Sequence, residues 1–267
     1  MFSVKRKNQP CLLFLHLPKT GGISLRSVIF SNYPPSVIYQ IEPSSPVRSI
    51  RYLKSLPKKD LARLRVITGH TLWGVHGILP QSFVYLTMLR EPVERVLSLY
   101  SYVRSSPTHR LYKEANALDI SLQDFLRWDK VRHEVENQQT KLLAGRWGGH
   151  VKCTAELLEA AKSHLEKYMV VGLTERFADS LSLFAQVFGW QNVSVVRANV
   201  TSKRLRREDT DENTLQFIAE LNRCDLELYH LAQRLFEQQK SAPERVLSNL
   251  VMEDHLGEAT NNDFACI

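Results

Sequence analysis

The sequence predicts an α/β fold in three layers, a central parallel sheet of about five strands with helices on both faces. Three observations predict it. Short apolar runs rich in β-forming residues alternate along the chain with amphipathic stretches of helical period. Each of the first three runs empties into residues that carry chemistry: Lys19-Thr20-Gly21-Gly22, Gly69-His70 and Arg90. The first of these junctions is a strand, a glycine pair and then a helix, the order of a P-loop-like anion site.

Cys11–His16 is continuously apolar up to its histidine and reads as a short buried strand. The glycine pair follows, and Leu25, Val28 and Ile29 then recur at helical spacing. Tyr33–Pro46 holds four prolines and reads as a loop. Residues 48–64 are polar and basic with helical character, and Arg65–Thr68 is a second strand. Phe83–Leu89 is a third, rich in β-forming residues. It runs into Arg90-Glu91-Pro92, where a proline beside an acid signals a helix start. Val93, Val96, Leu97, Tyr100 and Val103 make that helix's apolar stripe. Residues 107–166 read as several helices, among them Glu136–Leu143 and Thr154–Leu165. Tyr168–Val171 is a fourth strand, and Thr174-Glu175-Arg176-Phe177 opens a helix through Phe188. Val193–Val196 is expected to be a fifth strand, followed by a basic loop, Ser202–Arg207, and one long helix, Asp209–Gln238. The organisation expected is a single domain over residues 1–240 and a loosely ordered tail over 241–267. A parallel sheet binds ligands at the carboxyl ends of its strands, so the first three loops are expected at one edge.

The chain has 267 residues and a formal net charge of +7, an excess that suits anionic partners without choosing among them. Cys11, Cys153, Cys224 and Cys266 contain no C-x-x-C pair and no disulfide framework. A reducing, cytoplasmic setting is the expectation. The apolar run at 11–17 contains His16 and lacks a small-residue cleavage site, which argues against a signal peptide. No apolar stretch approaches the roughly 20 residues of a membrane span.

The loop after the first strand can hold an anion. Backbone N–H groups at Gly21, Gly22 and the helix start can converge, Thr20 and Ser24 add hydroxyls, and Lys19 adds a mobile charge. An ATP-type phosphate loop places its lysine after the glycines, and here Lys19 precedes them. Arg90, at a strand end, could grip a phosphate bidentately. Ser98 lies two turns into the next helix, opposite its apolar stripe; alone it would read as a solvated serine.

His16-Leu17-Pro18-Lys19-Thr20-Gly21-Gly22-Ile23-Ser24 resembles the 5′-phosphosulfate loop of the sulfotransferases. The version is similar to that of the membrane-type carbohydrate sulfotransferases, the family that includes heparan sulfate 2-O-sulfotransferase. Leu89-Arg90-Glu91-Pro92-Val93-Glu94-Arg95-Val96-Leu97-Ser98-Leu99-Tyr100 resembles that family's 3′-phosphate motif. Glu136-Asn137-Gln138-Gln139-Thr140 and Gly172-Leu173-Thr174-Glu175-Arg176-Phe177 resemble stretches of its bacterial relatives. The resemblance implies a P-loop-like fold and a soluble enzyme that uses 3′-phosphoadenosine 5′-phosphosulfate (PAPS), without a metal, to sulfate an acceptor hydroxyl, on a carbohydrate. It implies that Gly21, Gly22, Ile23 and Ser24 cradle the 5′-phosphate and that Arg90 and Ser98 bind the 3′-phosphate. Lys19 would neutralise the leaving oxygen. His70 matches a general base in a Gly-His context, and burial as a structural histidine is the competing reading. Thr68 stands where that family often has another histidine, which leaves open whether His70 acts alone or with His76. Lys203 and Arg204 would touch the nucleotide, or form a solvated basic loop. Trp128 and Trp147 could line an acceptor groove, though a core or loop role is favoured.

Two rivals remain at this stage. A P-loop kinase or NTPase is opposed by the order of Lys19 and the glycines. A basic nucleic-acid module is opposed because the aromatics are not interleaved with the basic residues, and no nucleic-acid partner is expected.

Overall fold

A computed structural model describes residues 10–148, 151–194 and 205–250. Its centre is a five-stranded sheet: β1 (Cys11–Leu15), β2 (Ile38–Ile41), β3 (Val66–Gly69), β4 (Phe83–Leu89) and β5 (Met169–Leu173). The order across the sheet is β2-β3-β1-β4-β5, every neighbouring pair parallel. This is the P-loop-like arrangement the sequence predicts. The four inner and last strands in chain order, β1, β3, β4 and β5, are buried along their whole length, as strands covered on both faces must be.

The fifth strand is not where the sequence placed it. Ile38–Ile41 pairs with β3 at the sheet edge, inside the stretch read as a proline-rich loop. Four prolines flank it and only Ile41 is fully buried, so neither composition nor hydrophobic run length marks it. Val193 and Ser194, expected to begin a strand, lie outside any strand, and Val195 and Val196 fall outside the described residues. At the opposite edge β5 is finished by side chains. The Gln239 amide accepts from Val171 N–H and donates to Met169 C=O, both at 2.9 Å, and Ser180 Oγ accepts from Leu173 N–H at 2.9 Å. These bonds occupy the groups that would otherwise template another strand.

The expected long helix after 209 is two, Glu212–Leu221 and Arg223–Ser241. The break is Asn222, which is buried. Its amide donates to Ile218 C=O and its carbonyl accepts from Asn137 N–H, tying the joint to the start of the helix Gln138–Leu143. The main core surrounds the sheet. A second apolar cluster lies under the helix Pro92–Ser105, built from Val93, Val96, Leu97 and Val103 with Phe125, Val131 and Ile218.

Candidate active site

The carboxyl ends of β1, β3, β4 and β5 meet at one edge. Leu15 ends β1 opposite Gly69 of β3 and Thr87 of β4, and Thr87 Oγ1 donates to Leu15 C=O at 3.1 Å. Beyond Leu15 the chain turns tightly. Lys19 and Gly21 take positive φ of 68° and 80°, a conformation glycine accepts freely and lysine does not, so the loop is held there by its contacts. Thr20 Oγ1 donates to Leu17 C=O at 2.9 Å inside the turn. That bond commits the Thr20 hydroxyl to bracing the loop, whereas the sequence suggested it as an anion donor.

Gly21 caps the helix Gly22–Asn32 with no side-chain bond, and no acid occupies the first turn. Among the described residues the N–H groups of Gly22, Ile23 and Ser24 thus face no capping side chain and no first-turn acid, as an anion site needs.

Thr174, just past β5, shares its hydroxyl proton between Thr20 C=O at 2.8 Å and Leu89 C=O at 3.0 Å. One side chain thereby ties the loop after β1 to the ends of β4 and β5.

Arg90 follows β4 and is buried. Its main chain is clamped by Gln139, whose amide accepts from Arg90 N–H at 3.0 Å and donates to Arg90 C=O at 2.9 Å. Arg90 Nη1 donates to Lys19 C=O at 3.0 Å. Glu94 at 3.6 Å and Glu175 at 3.9 Å flank the guanidinium. Glu175 is itself held, accepting from Glu91 N–H and from the Tyr229 hydroxyl, whose pKa that carboxylate and burial push up.

Gln139 has its own support. The buried carboxylate of Asp225 accepts from Gln139 N–H, Thr140 N–H and Thr140 Oγ1, which fixes the start of the helix Gln138–Leu143. Arg95, with 0% exposure, lies 4.0 Å from Asp225 and donates to Glu134 C=O, Val135 C=O and Gln138 Oε1. The sequence reading missed this chain of supports. Its signal was present, since Glu136–Thr140 and Gly172–Phe177 stood out there, but their role emerges only from contacts across the fold.

Ser98 is half-buried, and its hydroxyl makes no hydrogen bond among the described residues. Tyr102 lies one turn further on the same helix face, and Lys19 Nζ sits 3.7 Å from the centroid of its ring. The face bearing Ser98 thus looks onto the loop. The structure brings together Lys19, Thr20, Gly21, Gly22, Ile23, Ser24, Arg90 and the Ser98 face. Lys203 and Arg204 lie outside the described residues.

His70 follows β3. Its ring stacks on His16, centroids 4.3 Å apart and planes 23° from parallel, and Nδ1 lies 3.0 Å from His16 C=O. A carbonyl only accepts, so Nδ1 carries the proton and the neutral ring presents its lone pair at Nε2. His70 is exposed by area, yet its neighbours desolvate the ring and lower its pKa below the usual 6.5; the bond to His16 C=O works against that shift and Arg26 adds to it. A neutral imidazole with an open Nε2 is what a general base requires.

His76 stands elsewhere. Its Nδ1 lies 3.0 Å from the Tyr85 hydroxyl, and its ring packs on Phe83 and Trp73. Phe83 begins β4, so this cluster belongs to the opposite end of the sheet, and of His70 and His76 the structure brings His70 to the edge. Trp128 and Trp147 each pack partly buried against a core cluster, Trp147 edge-on to His133. Among the described residues no group of three or more His, Cys, Asp or Glu side chains is placed to hold a metal ion. Among them, too, no helix is long and apolar enough to cross a membrane.

A model of the sulfotransferase family matches residues 2–238. Heparan-sulfate 6-O-sulfotransferase 1 of Homo sapiens is 26% identical to this chain over 281 residues, covering 87% of it and 67% of that protein. The same enzyme of Cricetulus griseus is 26% identical, covering 87% and 68%. Heparan-sulfate 6-O-sulfotransferase 3 of Mus musculus is 27% identical over 186 residues, 59% of this chain and 39% of that protein. Among solved structures, mouse sulfotransferase SULT7A1 complexed with PAP aligns over 79% of this chain and 63% of its own, with a TM-score of 0.40 and 14% identity. The relatives named here are heparan-sulfate 6-O- rather than 2-O-sulfotransferases. The resemblance read from the two motifs therefore holds at the level of the family and not of the particular enzyme.

Proposed function

This chain belongs to the sulfotransferase family, and from that premise we propose that it sulfates a carbohydrate hydroxyl with PAPS as donor and His70 as base. The observation that carries this reading is the meeting of three kinds of group at one sheet edge. They are a helix start clear of acids, two cations joined through Lys19 C=O and Arg90 Nη1, and an exposed imidazole whose Nδ1 is held by a carbonyl. The first two suit a nucleotide with phosphates at two positions. The third suits an acceptor that must lose a proton. The carbohydrate acceptor is supported by the relatives, which act on heparan sulfate by name.

The nucleotide, when bound, supplies the sulfuryl group and a phosphate leaving group. Gly22, Ile23 and Ser24 would hold its 5′-phosphate by their N–H groups, and Arg90 with Ser98 its 3′-phosphate. His70 would take the acceptor's hydroxyl proton at Nε2 as the acceptor oxygen bonds to sulfur and the sulfur–oxygen bond to the 5′-phosphate breaks. Lys19 would neutralise the charge that gathers on the leaving phosphate oxygen, where a cation is most effective because that charge grows in the transition state. Arg26, close enough to lower the pKa of both His16 and His70, helps keep the base unprotonated at neutral pH.

The test is a transfer screen with radiolabelled PAPS across polysaccharides, glycolipids, peptides and small alcohols. Label should appear on a carbohydrate and disappear with Lys19→Ala. Tighter binding of ATP–Mg²⁺ than of 3′-phosphoadenosine 5′-phosphate would overturn the assignment in favour of a kinase-type enzyme.

A further inference from the structure

We propose that His16 is a positioning residue that locks the base and the phosphate loop into one unit, through its ring on one side and its carbonyl on the other. The inference rests on the functional reading above and goes beyond it, because His16 touches neither reacting atom there. Its ring is the middle of three stacked rings. Phe14 lies at 5.4 Å and 13° on one side, and His70 at 4.3 Å and 23° on the other. Its carbonyl fixes the His70 tautomer, and its own N–H donates to Gly69 C=O at 3.3 Å, next to His70 in the chain. The same residue therefore sets both the plane and the protonation pattern of the base.

The ring also sets the height of the loop. A Cβ built on Gly22 would fall 1.9 Å from His16 Cδ2 and 2.0 Å from Nε2. Gly22 has no positive φ, so its backbone would accept alanine, and the three atoms nearest to such a Cβ all belong to the His16 imidazole. The Gly22 N–H begins the anion cradle, so the ring edge lies against the backbone that holds the phosphate.

His16 is 5% exposed and its Nδ1 has no hydrogen-bond partner among the described residues. A phenyl ring would keep the stack without leaving a buried nitrogen unsatisfied, which makes His16→Phe the control for stacking alone.

The experiment is a double-mutant cycle of His16→Ala and Gly22→Ala, read by the dissociation constant of 3′-phosphoadenosine 5′-phosphate and by kcat, with His16→Phe as the stacking control. Gly22→Ala alone should weaken nucleotide binding at least about tenfold, and adding His16→Ala should restore it to within about threefold of His16→Ala alone. His16→Ala alone should lower kcat by about tenfold more than it weakens binding, and His16→Phe should recover most of that loss. Losses that multiply in the cycle overturn the coupling of ring and loop. An unchanged kcat in His16→Ala overturns the coupling to the base. Should His16→Ala fail to fold, the control decides: a folded His16→Phe with kcat as low as His70→Ala overturns the proposal. If the wild type binds the nucleotide but sulfates no acceptor, the functional reading fails while the binding arm still decides the His16–Gly22 coupling.

Discussion

The ammonium of Lys19 lies 3.7 Å above the ring centroid of Tyr102, while the carbonyl of Lys19 accepts from Arg90. Both ends of the residue are thus directed by the elements around β4, and its positive φ is held by those contacts. A cation over a partly desolvated ring is stabilised by about 1–2 kcal/mol. Tyr102→Leu should therefore lower single-turnover transfer by roughly fivefold to thirtyfold, while Tyr102→Phe, which keeps the ring face, should stay near wild type. A Phe variant as impaired as the Leu variant would show that the hydroxyl, not the ring, is what matters. Lys19→Ala should abolish transfer in a protein that still folds.

Gln139 satisfies both main-chain groups of buried Arg90 with one amide. Truncation leaves a buried N–H and a buried C=O without partners, at about 1–3 kcal/mol each. Gln139→Ala should lower the urea midpoint accordingly. It should also weaken 3′-phosphoadenosine 5′-phosphate binding, because Arg90 then loses its fixed start. Destabilisation with unchanged nucleotide affinity would separate Gln139 from the site and leave it a fold residue.

The contrast between Gly21-Gly22 and Gln139 shows what a sequence can disclose. Strands covered on both faces are apolar runs, so β1, β3, β4 and β5 are legible, and glycines between a strand and a helix announce an anion loop. β2 is hidden because an edge strand is half-buried and here sits among prolines. The supports of the site depend on partners far along the chain: Gln139 on Arg90, Asp225 on Thr140, Thr174 on Thr20. No local period encodes such pairs. Tyr102 was within reach, since it stands one helical turn from Ser98, but its partner Lys19 belongs to another element. His16 carries no local signal of a role, because what it does lies in what it presses against.

The buried imidazole has a consequence for stability. Burial holds the His16 pKa well below 6.5, aided by the charges of His70, Arg26 and Lys19. Below pH 6.5 the unfolded chain takes up a proton at this position that the folded chain refuses. The contribution of His16 is therefore complete above that pH and is lost as pH falls. Each such proton tilts stability by about 1.4 kcal/mol per pH unit. His70 and His133 shift in the same direction and add to the slope. Urea unfolding between pH 6.5 and 5.5 should show His16→Phe losing stability less steeply than wild type. Equal slopes would mean that His16 is protonated in the folded protein.

His70 should separate chemistry from binding. Its Nδ1–H is taken by His16 C=O, so its catalytic capacity lies at Nε2, and a positioned base of this kind contributes about 10²–10⁴-fold. His70→Ala should lose kcat on that scale while its affinity for 3′-phosphoadenosine 5′-phosphate changes less than about threefold. Desolvation lowers its pKa, with Arg26 in support, so the unprotonated form dominates at neutral pH. The wild-type kcat/KM should then be level through neutrality and fall on the acid side with a midpoint below 6.5. His76→Ala, whose ring is engaged with Tyr85 and Phe83 at the other end of the sheet, should leave that acid limb in place. Equal losses of turnover and affinity in His70→Ala would make it a binding residue, and an acid limb that survives in that variant would assign the proton to another group.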